Sequence, residues 1–197
     1  MIVLGVDVGI RNCGYVLCEV NKLDITLIAE GQVQPKAKQQ IPRKLFEIYQ
    51  TLEDKIRIYK PKAIVVEKLY SHHRHPVTLG VLAQVRGIVA LLAYQKNIDF
   101  FEFSPTRARK SFLGRGRGNS AQVKKMAENV TGKEFLSLHT ADAYSLVVAF
   151  SHTQKVKSII ASGNFESKAN KKLLSLIKND ISAKRKNKKK GREPSIA

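Results

Sequence analysis

The chain has 197 residues, with 35 Lys+Arg against 16 Asp+Glu, a formal charge of +19 and a pI near 10.1. A surplus this large makes a chain repel itself and bind polyanions, which argues for a nucleic-acid partner and against an acidic substrate or a purely structural role. At 43% hydrophobic residues it is no disordered tail, and its length suits one core with an appendage.

In chain order, Ile2 to Val8 reads as a strand, followed across a glycine-containing turn by Gly14 to Val20 and, after Asn21 to Asp24, by Ile25 to Val33. Connections this short make the three an antiparallel meander. Cys13 and Cys18 lie about 16 Å apart on one strand, at ~3.3 Å per residue, and face opposite sides, so they do not pair. Leu45, Ile48, Leu52 and Ile56 step by three and four within Pro42 to Tyr59, an amphipathic helix ended by Pro61. Ala63 to Val66 is a short apolar strand. Val77 to Tyr94 is a helix apolar nearly all round, which implies burial on two sides, one against the core and the other against a partner. A strand over Asp99 to Phe103, a short helix near Pro105 to Phe112 and a Gly/Arg loop over Gly114 to Gly118 come next. Helices over Ser120 to Val130 and Leu138 to about His152 complete the body. The order βββαβαβααα predicts an α/β fold, a mixed sheet with helices.

Residues 1–155 are expected to form the domain and 156–197 a basic extension. Leu173, Leu174, Leu176, Ile177 and Ile181 suggest a short amphipathic helix ahead of the run Lys184 to Lys190, which is expected to be disordered without a polyanion. Lys168 to Ala197 carries +9 of the charge. No apolar run approaches the ~20 residues of a membrane span and no cleavable signal pattern opens the chain, so a cytosolic protein with no membrane association is expected.

Two acids occupy the ends of apolar strands. Asp7 follows Ile2-Val-Leu-Gly-Val and Glu67 follows Ala63-Ile-Val-Val, positions where an unpaired charge is costly. Taken singly, either is equally explained by a salt bridge or by solvent beyond the strand end. His139 and Asp142, three apart, share one face of the last helix, whose Ala141, Ala143, Leu146 and Val147 pack inward. Alone, His139 reads as a helix-start residue bonded to backbone; beside Asp142 a role in a site is the better reading. Asp7, Glu67 and Asp142 would offer a hard cation such as Mg²⁺ oxygen ligands from three elements.

These residues carry a resemblance. Ile2-Val-Leu-Gly-Val-Asp-Val-Gly-Ile-Arg-Asn-Cys-Gly-Tyr15, Ala63-Ile-Val-Val-Glu-Lys-Leu-Tyr70, Leu82-Ala-Gln-Val-Arg-Gly87, Phe101-Glu-Phe-Ser-Pro105 and His139-Thr-Ala-Asp-Ala143 resemble, in this order and spacing, the RuvC-type Holliday-junction resolvases of the RNase H-like superfamily. The likeness runs from about Met1 to His152. An Asp-x-Gly strand also occurs in actin-like ATPases, but these need a second such half and a longer chain.

The resemblance implies an RNase H-like five-stranded sheet, three strands antiparallel and the others parallel, flanked by helices. It implies a homodimeric endonuclease of homologous recombination and DNA repair that nicks two opposing strands of four-way junction DNA symmetrically. The family's acidic positions, which bind two Mg²⁺ per site with Mn²⁺ able to substitute, fall on Asp7, Glu67, His139 and Asp142. The third is Asp in many members and His in some. Asp7 would bridge the ions, Glu67 and Asp142 would each hold one, and His139 would be a ligand or a proton donor near the leaving oxygen. Because imidazole suits Mn²⁺ better than Mg²⁺, faster cleavage in Mn²⁺ is expected if His139 ligates. A cytoplasmic, nucleoid-associated location is expected, and for bacterial members the resemblance implies a branch-migration helicase complex.

Candidate DNA contacts surround these positions. Tyr70 can stack on an unpaired base at the crossover or pack on the following helix; the resemblance, with Phe common there, assigns it the first. Arg74, among His72, His73 and His75, reads as a phosphate contact or mere exposure rather than a metal site. Arg107, Arg109, Lys110, Arg115 and Arg117 gather around the glycine loop, with Lys124 and Lys125 following, a set suited to phosphates and lacking the Lys-Ser/Thr pair of a nucleotide P-loop. Family members carry a basic residue at Arg109 and a Lys where Ser120 stands, so Arg115 or Arg117 is expected to substitute for the second. Two other readings remain: another RNase H-like nuclease acting on RNA or branched DNA, and a non-catalytic nucleic-acid-binding protein.

Overall fold

The structure is a computed structural model and describes residues 1–69 and 76–162. Tyr70, Arg74, the three neighbouring histidines and residues 163–197, with their apolar and basic segments, lie outside the described residues. The chain divides into two units, residues 1–153 and 154–197.

The strands are β1 (Ile2–Asp7), β2 (Cys13–Asn21), β3 (Asp24–Val33), β4 (Ala63–Glu67) and β5 (Asp99–Phe103); the helices are α1 (Ile41–Tyr59), α2 (Pro76–Gln95), α3 (Pro105–Leu113), α4 (Ser120–Thr131) and α5 (Leu138–Ala161). They follow one another in the expected order. The sheet runs β3-β2-β1-β4-β5, antiparallel across β1, β2 and β3 and parallel across β1, β4 and β5. The meander arises because Asn21 to Asp24 reverses the chain within a turn, with Lys22 at φ 56. A parallel return to β4 needs the long crossover that α1 supplies.

Each side of the sheet has its own core. Leu4, Val6, Leu17, Ile64 and Val66 pack under Ile48 and Leu52 of α1 and Val85, Val89 and Leu92 of α2. Val3, Val16 and Val65 face the other way, against Phe112 of α3, Val123 of α4 and Tyr144, Val147 and Phe150 of α5. Strand periodicity therefore sends Cys13 into the first core and Cys18 into the second, both as free thiols.

Two glycines let α5 come down onto the sheet. A Cβ on Gly5 would meet the Ala143 carbonyl oxygen at 2.5 Å, and one on Gly14 would meet the His139 backbone at 2.5 Å. The first turn of α5 thus lies directly over the ends of β1 and β2. That helix runs to Ala161, nine residues past the expected end; Thr153 to Ala161 contains no glycine or proline to stop it.

In α2, Val85, Val89, Leu92 and Ala93 are buried against the core, while Val77, Leu91 and Tyr94 are exposed, the helix having been expected to meet a partner on its second side. By length and composition it is apolar enough to cross a membrane, against the expectation that no run approaches that size. Here it lies across the sheet, and Arg86 pairs with Glu102 of β5 at 2.6 Å.

Candidate active site

Val6 and Val66 are partners in the parallel pairing of β1 and β4, so the residues that follow them, Asp7 and Glu67, leave the same end of the sheet side by side. On the other flank Asp7 pairs with Gly14 of β2. Because Gly14 has no side chain, His139 sits against it, and His139 Nδ1 meets Asp7 Oδ2 at 2.8 Å across 132 positions of sequence. One turn further along α5, Asp142 Oδ2 accepts from Ser120 Oγ at 2.6 Å, at the start of α4. The four positions named from sequence are thus gathered at one end of the sheet.

The electrostatics of the cluster follow from its shape. Burial pushes the Glu67 carboxyl up from 4.5 to about 7, and the charges of Asp7 and Asp142 push the same way, with Arg109 opposing. Asp142 is also raised, chiefly by burial; the Ser120 hydroxyl, Arg109 and His139 offset part of this. His139 is raised above 6.5 because its ring bonds to Asp7, against the opposing effect of burial. Its side chain is 40% exposed and that of Asp7 17%, so the cluster opens to solvent.

Three carboxylates and an imidazole, with Arg109 the cation acting on two of them, form a donor set that suits a hard divalent ion. As the side chains stand, no three His, Cys, Asp or Glu residues among the described residues are close enough to hold a metal. His139 is turned onto Asp7, and Asp142 onto Ser120.

The candidate DNA contacts are differently disposed. Arg109 of α3 is half-buried and acts electrostatically on Glu67 and Asp142, which puts it within the cluster's reach. Arg115 and Arg117 are exposed on the glycine loop. Lys124 is half-buried and paired with Glu128 at 3.4 Å, one turn along α4. Arg107 stands over the Phe103 ring at 5.2 Å and donates to Thr153 Oγ1, a packing arrangement. Ser120, which the resemblance treats only as a missing lysine, has instead a direct hold on Asp142 from the start of α4, just after the capping Asn119.

A groove of about 540 Å³ opens from Asp7 and His139 between the turn 9–12 and the start of α2, where Val77, Val81 and Leu82 form one wall.

A family model described as "Crossover junction endodeoxyribonuclease RuvC" matches residues 3–152. A protein of that description from Pseudothermotoga lettingae is 32% identical over 152 residues, 77% of this chain and 93% of the relative. One from Brachyspira hyodysenteriae is 28% identical over 156 residues, 79% and 97% of the two chains. Among solved structures, Thermus thermophilus RuvC in complex with a Holliday junction substrate has the same fold, with a TM-score of 0.69 at 17% identity, covering 78% of this chain and 96% of that one.

Proposed function

The chain belongs to the RuvC family of crossover junction endodeoxyribonucleases, and from that membership we propose that it resolves four-way DNA junctions, with Asp7, Glu67, His139 and Asp142 as the hydrolytic centre. The observation that carries the site assignment is the convergence of these four residues, from two parallel strands and one helix, at a solvent-open end of the sheet.

Asp7, Glu67 and Asp142 would hold divalent metal, Mg²⁺ or Mn²⁺, two ions per site being the family arrangement. Bound there, metal supplies an activated water and charge stabilisation at the departing 3′ oxygen. The residues themselves do the rest. Their carboxylates, held at strand and helix ends by buried cores, present a rigid anionic cluster. Arg109 brings a positive charge to Glu67 and Asp142, and draws a scissile phosphate toward them. Ser120 keeps one oxygen of Asp142 engaged and the other free to ligate. His139, held by Asp7 with a raised affinity for protons, would act as a ligand or donate a proton near the leaving group.

A homodimer is part of the proposal. Gly80, Gly87, Leu91 and Tyr94 follow at steps of seven, four and three on the exposed side of α2, and a Cβ on either glycine would meet nothing within 4 Å beyond its own stretch of helix. Glycine inside a helix costs about 1 kcal/mol against alanine, and nothing among the described residues repays it. A second α2 packed across a two-fold axis would, and two related sites match the symmetry of a junction. A monomer by sedimentation at micromolar concentration would remove this element. The reading also entails a cytoplasmic, nucleoid-associated location and, for a bacterial member, cooperation with a branch-migration helicase, checked by whether such a helicase accelerates cleavage.

The direct test is Asp7→Asn. It should bind a synthetic junction as well as the unaltered protein does and cut it at least about 10²-fold more slowly in Mg²⁺. Undiminished cutting would eliminate this site. Equal cutting of RNA hybrids or of other branched DNA would favour a different nuclease reading.

A further inference from the structure

Ser120 is the first residue of α4, and the start of that helix is built without its side chain. Asn119 Oδ1 accepts from the Gln122 amide at 2.9 Å, and Gln122 Oε1 accepts from the Asn119 amide at 3.2 Å, so the pair satisfies donors that a helix start leaves open. Just before them Gly118 is buried against Leu113 of α3, where a Cβ would collide. Just after them Val123 and Ala127 are fully buried in the core shared with α5. The backbone at Ser120 is thereby fixed from both sides, and its hydroxyl is left for another use.

That use is Asp142. Ser120 Oγ donates to Asp142 Oδ2 at 2.6 Å, the length of a hydroxyl bonded to an ionised carboxylate, and so ties two helices together across 22 positions of sequence. Asp142 itself comes from α5 between the fully buried Ala141 and Ala143, so only its side-chain torsions remain to be set. Its Oδ1 has no hydrogen-bond partner among the described residues. As the side chains stand, the carboxylates are too far apart to share an ion. A cation must draw them in, and each side chain already oriented lowers the cost of that closing. Hydrogen bonds to the outer oxygens of metal-ligating carboxylates act in this way.

We infer that Ser120 is a positioning residue of the metal centre: holding one oxygen of Asp142 from the capped start of α4, it leaves the other for a divalent cation shared with Asp7 and Glu67, and raises the affinity of the centre for that cation. The inference rests on the metal-dependent reading of the cluster given above. A neutral donor suits this task. It orients the carboxylate without cancelling its charge, as a cation in the same place would, so Asp142 keeps its attraction for the ion.

The test uses the full chain without DNA and Mn²⁺ as the probe, followed by loss of the free ion's EPR signal, with binding at the centre taken as the part that Asp7→Asn removes. Ser120→Ala should weaken this binding about tenfold, and Ser120→Thr, which restores the hydroxyl, should stay within about threefold of the unaltered protein. Ser120→Val has the shape of the threonine variant without its hydroxyl and should bind like Ser120→Ala; the Thr and Val pair carries the test if Ser120→Ala does not fold. With a junction as substrate, the Mg²⁺ concentration for half-maximal cutting should rise about tenfold in Ser120→Ala. Junction affinity without metal should be equal in all these proteins, and a fall in Ser120→Ala would give the residue a merely structural role and overturn the inference. Unchanged or tighter Mn²⁺ binding in Ser120→Ala, or equal binding by the Thr and Val variants, also overturns it while leaving the metal centre standing. If the unaltered protein binds no more Mn²⁺ than Asp7→Asn does, the metal centre itself fails, and this inference with it.

Discussion

Asp7 and His139 stand 132 residues apart and share a 2.8 Å hydrogen bond, which makes their protonation states a measurable property of the site. By NMR, His139 should titrate above 6.5 in the metal-free protein, and Asp7→Asn should bring it back toward 6.5, since the bond to Asp7 is the main cause of the rise. Glu67 gives a second test. Its carboxyl is raised from 4.5 to about 7 in the folded protein, so between those values the folded state holds the extra proton and stability falls as pH rises. Metal-free Glu67→Gln should lack this decline and exceed the unaltered protein by ~3 kcal/mol at pH 8, measured by urea unfolding. Mg²⁺ should then stabilise the unaltered protein more than the variant. All four candidate site residues stood out in the sequence, because polar groups at the ends of apolar strands and on an apolar helix face are conspicuous. Their bonds to one another were not legible. That Ser120 holds Asp142 depends on where α4 begins relative to α5, and no local pattern encodes that.

Among the elements, strands and helices were readable wherever a period of two or about 3.6 was clear: β5 was read to its exact ends and α1 to within a residue at its start. The end of α5 was missed because the apolar pattern fades after His152 although nothing in the chain breaks the helix. The helix α2 is the informative case: its all-round apolarity implied one side against the core and the other against a partner, and in the single chain Leu91 is 52% and Tyr94 86% exposed. If the open side packs on a second α2, Leu91→Asp should leave the thermal midpoint of the folded chain nearly unchanged while converting the dimer to monomer in sedimentation. Loss of folding in that variant, or a dimer that persists, would assign Leu91 to some other surface.

For the whole molecule, the +19 charge was the first sign of a nucleic-acid partner, and its distribution predicts two separate uses. Arg109 acts at the carboxylate cluster, while +9 resides in Lys168 to Ala197, outside the region matched to the family. Deleting residues 184–197 should weaken junction binding and flatten its dependence on salt, since fewer counterions are released, without abolishing cleavage. Net charge cannot distinguish a binding protein from a nuclease, nor one branched substrate from another; that distinction rests on the four site residues and on family membership. The most direct measurement maps the cuts made by the full chain in Mg²⁺ on a four-way junction and on a linear duplex of the same sequence. Resolution predicts paired nicks at symmetric positions on two opposing junction strands, an intact duplex, and neither cut with Asp7→Asn. Equal cutting of junction and duplex, or paired nicks that survive in Asp7→Asn, would contradict it.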